Sequence, residues 1–98
     1  MIENLKLAGL NEELIEAMIE NLGYDLVLNL ACNYDKISSN INILKKYEIV
    51  NIDELLLYKP ELFLNDSVHL LYLLMKKNIS NLSELVKNDY NCIDMIFE

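Results

Sequence analysis

A seven-residue stretch of this chain occurs twice, thirty residues apart. Ile49-Val50-Asn51-Ile52-Asp53-Glu54-Leu55 returns as Ile79-Ser80-Asn81-Leu82-Ser83-Glu84-Leu85. Each copy carries Asn-x-x-Glu ahead of apolar residues. That spacing predicts a capping box, in which the Asn side chain accepts an amide hydrogen and the Glu reaches back to the start of the helix. Upstream, Leu44-Lys45-Lys46 matches Met75-Lys76-Lys77 with one residue of slippage. A fainter copy precedes these: Ile19, Asn21 and Leu22 hold the places of Ile49, Asn51 and Ile52, and Cys32, Leu62 and Cys92 share one position of the period. A recurrence of this length predicts a supersecondary unit that buries its apolar face against the next unit. The expected fold is therefore all-α, with short helical repeats of about thirty residues forming a small solenoid or compact bundle over a single domain, residues 1–98.

Helix boundaries follow from the scarce Gly and Pro. Gly9 and Gly23 each follow an apolar-periodic stretch, where glycine takes the left-handed conformation that closes a helix. A short helix is expected before Gly9, and a second from an Asn11 N-cap to Leu22, with Leu14, Ile15, Met18, Ile19 and Leu22 on one stripe. Tyr24 to Ala31 reads as helical. Ser38 or Ser39 is the expected cap of a helix reaching Tyr47. Asn51 opens a helix to Lys59, where Pro60 interrupts because it lacks an amide hydrogen and disfavours helix at the residue before it. Asp66 caps Ser67–Lys77, Asn81 opens a helix to about Asn88, and Asn91–Phe97 carries a weaker helical pattern.

The segment Ile43-Leu44-Lys45-Lys46-Tyr47-Glu48-Ile49, continued by Ile52 to Tyr58 and by Lys59-Pro60-Glu61-Leu62-Phe63-Leu64, resembles one repeat of the mitochondrial transcription termination factor family. The family's repeats end a helix in a Pro-x-Leu pattern followed by further leucines. In the following copy Asp89-Tyr90-Asn91 stands where the proline falls. The resemblance implies a curved stack of helical triplets, and nucleic-acid binding through a basic concave face. Lys45, Lys46, Lys76 and Lys77 would be the phosphate contacts under that reading.

Charge points elsewhere. The formal net charge is -8, the isoelectric point about 4.5, and all eight basic residues are lysine. Such a field repels phosphate backbones and attracts basic surfaces. Arginine, the residue whose planar fork suits phosphate, is missing. The lysine pairs also fall at predicted helix ends, where positive charge complements the dipole. Glu12, Glu13, Glu16 and Glu20 share one predicted helix that has no lysine, and they form the expected partner-binding face.

Chemistry-bearing patterns are sparse. His69 is the one histidine, and Asp66 three residues before it reads as a cap. Cys32 and Cys92, sixty residues apart, occupy an apolar repeat position and read as core. No glycine-rich phosphate loop, zinc-ligand spacing or nucleophile motif occurs. No catalytic residue, metal or cofactor is expected. The longest unbroken apolar run, Leu70–Met75, is far short of the roughly 20 residues of a membrane span. With no charged-then-apolar leader, the expected location is intracellular, in the cytoplasm.

Hydrophobic residues make up 53% of the chain, rich for its length. Ile93, Ile96 and Phe97, in an apolar C-terminus without a polar cap, are the expected self-association surface of a homodimer. The leading expectation is a non-enzymatic protein–protein interaction module, an adaptor or small inhibitor, whose acidic surface engages a basic protein. The alternative is a nucleic-acid-binding repeat domain of the termination-factor type.

Overall fold

The computed structural model describes residues 1–98. The chain is all-helical: a 3-10 helix Ile2–Ala8, then α1 (Glu12–Leu22), α2 (Tyr24–Cys32), α3 (Tyr34–Lys46), α4 (Ile52–Tyr58), a central 3-10 helix Pro60–Leu64, α5 (Ser67–Lys77), α6 (Leu82–Asn88) and a C-terminal 3-10 helix Tyr90–Phe97. Its dimensions are 37 × 26 × 20 Å with a radius of gyration of 12.9 Å.

Local chemistry explains most boundaries. Asn11 caps α1, its side chain accepting from the Leu14 amide at 2.8 Å. Gly9 closes the first 3-10 helix at φ 92°, ψ 7°. Gly23 has φ 92° and ψ 152°, a region open essentially to glycine alone, and this single residue turns the chain from α1 into α2. Asp66 caps α5 through the Val68 amide. Pro60 opens the central 3-10 helix at the position where its missing amide costs nothing. Thirty residues on, Tyr90 opens the C-terminal one without a proline. There the Asp89 side chain accepts from the Asn91 amide, and the Tyr90 ring stacks on Tyr58 at 5.0 Å.

Other expectations are corrected. α3 begins at Tyr34, so Ser38 and Ser39 lie inside the helix and cap nothing. Neither capping box forms. Asn51 makes no cap bond; its amide donates to Glu54 Oε1 at 2.8 Å and to the Val86 carbonyl at 2.9 Å, spending its hydrogens on α4 and on α6. Asn81 sits in the left-handed region at φ 56°, and it too makes no cap bond. The faint first copy has no matching elements: Ile19, Asn21 and Leu22 belong to the last turn of α1 instead of a helix start. There the Asn21 amide donates to the Leu57 carbonyl at 2.7 Å and ties α1 to α4.

Twenty-three buried apolar residues form one contiguous core. The first 3-10 helix packs against α2 and α3, α1 against α2 and α4, and α3 against α5 and the central 3-10 helix. The C-terminal 3-10 helix packs against α5 and α6. Cys92 lies half-buried beside the core as expected of its repeat position, whereas Cys32 is exposed at the end of α2.

One polar side chain is buried within this core. Asn40, fully inaccessible, donates to the carbonyls of Phe63 (2.8 Å) and Asn65 (2.9 Å) and accepts from the Ser67 hydroxyl (2.9 Å). Removing it leaves buried acceptors unpaired, which costs about 1–3 kcal/mol. Asn40→Ala is therefore expected to destabilise the chain by about 3 kcal/mol once the lost packing is added. Ser67→Ala should cost about 1 kcal/mol, and less than that in the Asn40→Ala background, as read by urea unfolding of the four-member cycle.

Candidate protein-interaction surfaces

α1 buries Ile15 and Met18 against the core, and that orientation turns its glutamates outward. Glu12, Glu13, Glu16 and Glu20 are all exposed. Lys6 Nζ lies 3.8 Å from Glu12 Oε1, and no cation comes within ion-pair distance of the other three. Two shallow clefts border the acidic strip. One, of about 200 Å³, is lined by Ile2, Glu3, Lys6, Glu12 and Glu16 together with Ile15 and Ile19. The other, about 260 Å³, places Glu20 beside Asn21, Leu57 and Tyr58. Glu3 extends the negative surface. Its carboxyl is held below the ordinary value of 4.5, first by a backbone hydrogen bond at its own residue and then by the terminal ammonium 3.3 Å away.

The four lysines of the alternative reading are exposed and close the last turns of α3 and α5. Each pair complements the negative end of its helix dipole. Lys45 and Asp53 line one groove, and Lys46 and Glu48 line another with Ile79, Asn81, Leu82 and Ser83. Lys76 lies over the Tyr72 ring, 5.7 Å from its centroid.

The expected C-terminal self-association surface is corrected. Ile93 and Ile96 are 1% and 0% exposed and belong to the core, because they share the face of Tyr90–Phe97 that packs against α5 and α6. Phe97 alone is exposed, at 46%. It lines a cleft of about 320 Å³ with Lys59, Glu61, Leu62, Asn65 and Asp94. Across this cleft Lys59 Nζ donates to Asp94 Oδ2 at 2.8 Å, clamping the C-terminal 3-10 helix to the end of α4.

A surface the sequence reading missed lies on α5. Leu70 and Leu74 point into the core, at 0% and 2% exposure. Val68, Leu71, Tyr72 and Met75 are exposed at 78%, 39%, 55% and 64%. These four fall at i, i+3, i+4 and i+7, one continuous stripe on the far side of the helix. The signal was present in the run from Val68 to Met75, which is apolar on both faces. A helix apolar all round is ordinarily buried, and this one is not.

The remaining chemistry is sparse. His69 is exposed on α5. No group of three or more His, Cys, Asp or Glu side chains comes together in a metal-binding arrangement. No helix is long and apolar enough to cross a membrane.

The Lys59–Asp94 pair has a pH signature. The hydrogen bond that Lys59 donates to Asp94, opposed by partial desolvation and assisted by the charges of Asp94 and Glu61, raises the Lys59 ammonium above its ordinary 10.5. A raised lysine contributes stability that is fully present below the unfolded value and is lost as pH rises through the folded one. Thermal melts of the native chain and of Asp94→Asn are therefore expected to differ at pH 8 to 9 and to converge as pH is raised past 10.5 and through the higher folded-state value. A gap that stays constant through that range would show the pair contributes nothing through Lys59 ionisation.

Compared with protein-family profiles, with characterised proteins and with solved structures, the chain finds no match.

Proposed function

We propose that the chain is a non-enzymatic protein–protein interaction module, an adaptor or small inhibitor, whose acidic α1 face engages a basic surface on another protein. The observation that carries this reading is the state of Glu13, Glu16 and Glu20: exposed, on one helix, and without a cation in reach. Like charges at i, i+4 cost a helix a few tenths of a kcal/mol per pair, so the arrangement is not one that helix stability favours. A basic partner removes that repulsion on binding, and the field of a chain with net charge -8 speeds its approach.

The second reading is a nucleic-acid-binding domain built on thirty-residue units of the termination-factor type. One observation favours it. Two α-helices followed by a 3-10 helix occur twice in succession, α3–α4–Pro60 to Leu64 and α5–α6–Tyr90 to Phe97. α4 and α6, and the two 3-10 helices, begin thirty residues apart. The left-handed residues Glu48 and Asn78 keep the same interval. This supports a two-unit stack behind a non-repeating N-terminal cap. The lysines argue against phosphate recognition, because Asp53 and Glu48 share their grooves.

One variant separates the readings. Glu13→Lys/Glu16→Lys/Glu20→Lys is expected to lose the basic proteins that the immobilised native chain captures and that rising salt elutes. Equal capture of basic proteins by both would overturn the α1 assignment. The native chain is expected to give no mobility shift with duplex DNA or single-stranded RNA at low salt. A shift that Lys45→Glu/Lys76→Glu abolishes would install the second reading instead.

A further inference from the structure

We propose that the exposed stripe of α5 is a self-association surface, on which α5 of a second copy lies antiparallel about a two-fold axis between Leu71 and Tyr72. The four side chains Val68, Leu71, Tyr72 and Met75 carry no charge and expose apolar surface on the outside of a helix whose inner face is already satisfied by Leu70 and Leu74. A stripe at i, i+3, i+4 and i+7 is symmetric about its own midpoint. In the antiparallel pair Val68 meets Met75 of the second copy and Leu71 meets Tyr72, so every exposed apolar residue gains an apolar neighbour. A C2 interface needs this self-complementarity.

The symmetry of the stripe suits a second copy, and the charges at the two ends of α5 set its direction. Within α5 the formal charges are Lys76 and Lys77, both exposed at its end. At its start lie the exposed carboxylates of Asp66, the N-cap, and of Glu61 in the preceding 3-10 helix. Antiparallel packing brings the lysine end of each helix alongside the carboxylate end of the other, within a Debye length of about 8–10 Å. It also sets the two helix dipoles head to tail. A parallel pair would put lysines against lysines. α5 has eleven residues and is about 16 Å long. One such stripe covers less than the roughly 800 Å² per partner of a standard interface, which puts the dimer in the class of small, weak interfaces.

This inference stands apart from the α1 reading, since the stripe and the glutamates lie on different helices. Sedimentation equilibrium of the full chain is the test. The mass is expected to rise from 11.4 kDa toward twice that value as concentration increases from about 1 to 500 µM. Val68→Glu/Tyr72→Glu should stay at the monomer mass throughout, with an unchanged helical signal and melting temperature, because both residues are exposed. Glu13→Lys/Glu16→Lys/Glu20→Lys should dimerise like the native chain, so loss of basic-partner capture and loss of the dimer are read separately. In a Cys32→Ser/Cys92→Ser background, Val68→Cys mixed with Met75→Cys is expected to cross-link on oxidation, and Val68→Cys alone is not. A native chain that stays monomeric to about 500 µM overturns the proposal. So does a dimer that Val68→Glu/Tyr72→Glu leaves intact, which places the contact elsewhere. Cross-linking by Val68→Cys alone overturns the antiparallel arrangement.

Discussion

The amide of Asn40 holds the two halves of the molecule in register. It is fully buried in an apolar core, and each of its polar atoms has a partner across the α3–α5 junction: the carbonyls of Phe63 and Asn65, and the hydroxyl of Ser67. The central 3-10 helix ends in those carbonyls, and 3-10 ends leave acceptors that the helix itself does not satisfy. An apolar residue at position 40 would bury them against nothing. Asn40 thus ties α3 to the end of the central 3-10 helix and, through Ser67, to the first turn of α5, whose start is capped by Asp66. The outward placement of Val68, Leu71, Tyr72 and Met75 follows from the burial of Leu70 and Leu74, and the Asn40–Ser67 bond is consistent with that facing of α5.

A second set of asparagines does the same work at the surface of the core. Asn21 bonds the Leu57 carbonyl and Asn51 bonds the Val86 carbonyl, so α1 is tied to α4 and α4 to α6. The oxygen of Asn51 is buried without a partner, the one such side-chain atom in the chain. Both its amide hydrogens are committed, to Glu54 and to Val86, and that orientation turns the oxygen away from the α4 amides. The link between helices is gained at the expense of the cap.

This explains what could and could not be read from the residues. Cap residues and Pro60 are statements about local chemistry, and they placed α4, α5 and α6 to within a residue or two. The Asn-x-x-Glu match is real, yet a capping box is only one use of an asparagine at a helix start. The winning use at Asn51 is a contact with Val86, thirty-five residues away, which no local pattern encodes. Ile93 and Ile96 failed for a related reason. The apolar C-terminus without a polar cap reads as an open end of a stack, whereas the face that carries Ile93 and Ile96 is already covered by α5 and α6, a tertiary contact that no local pattern encodes. Glu12, Glu13, Glu16 and Glu20 were legible as an outward face because α1 is amphipathic and its inner stripe is unambiguous. The α5 stripe was not, because α5 is apolar on two faces and periodicity alone does not say which of them meets the core.

The two surfaces differ in charge and in what they ask of a partner. α1 offers carboxylates bordered by two shallow clefts, and charge of this kind raises the rate of encounter more than it holds a complex together. α5 offers apolar anchors between a carboxylate start and a lysine end. A weak α5 dimer would double the first property: two acidic faces on one particle engage two basic sites, and the second contact forms at a high effective concentration. Residence time then comes from valency, since neither contact is strong alone. Joining two modest surfaces in this way would make binding depend on the concentration of the chain itself.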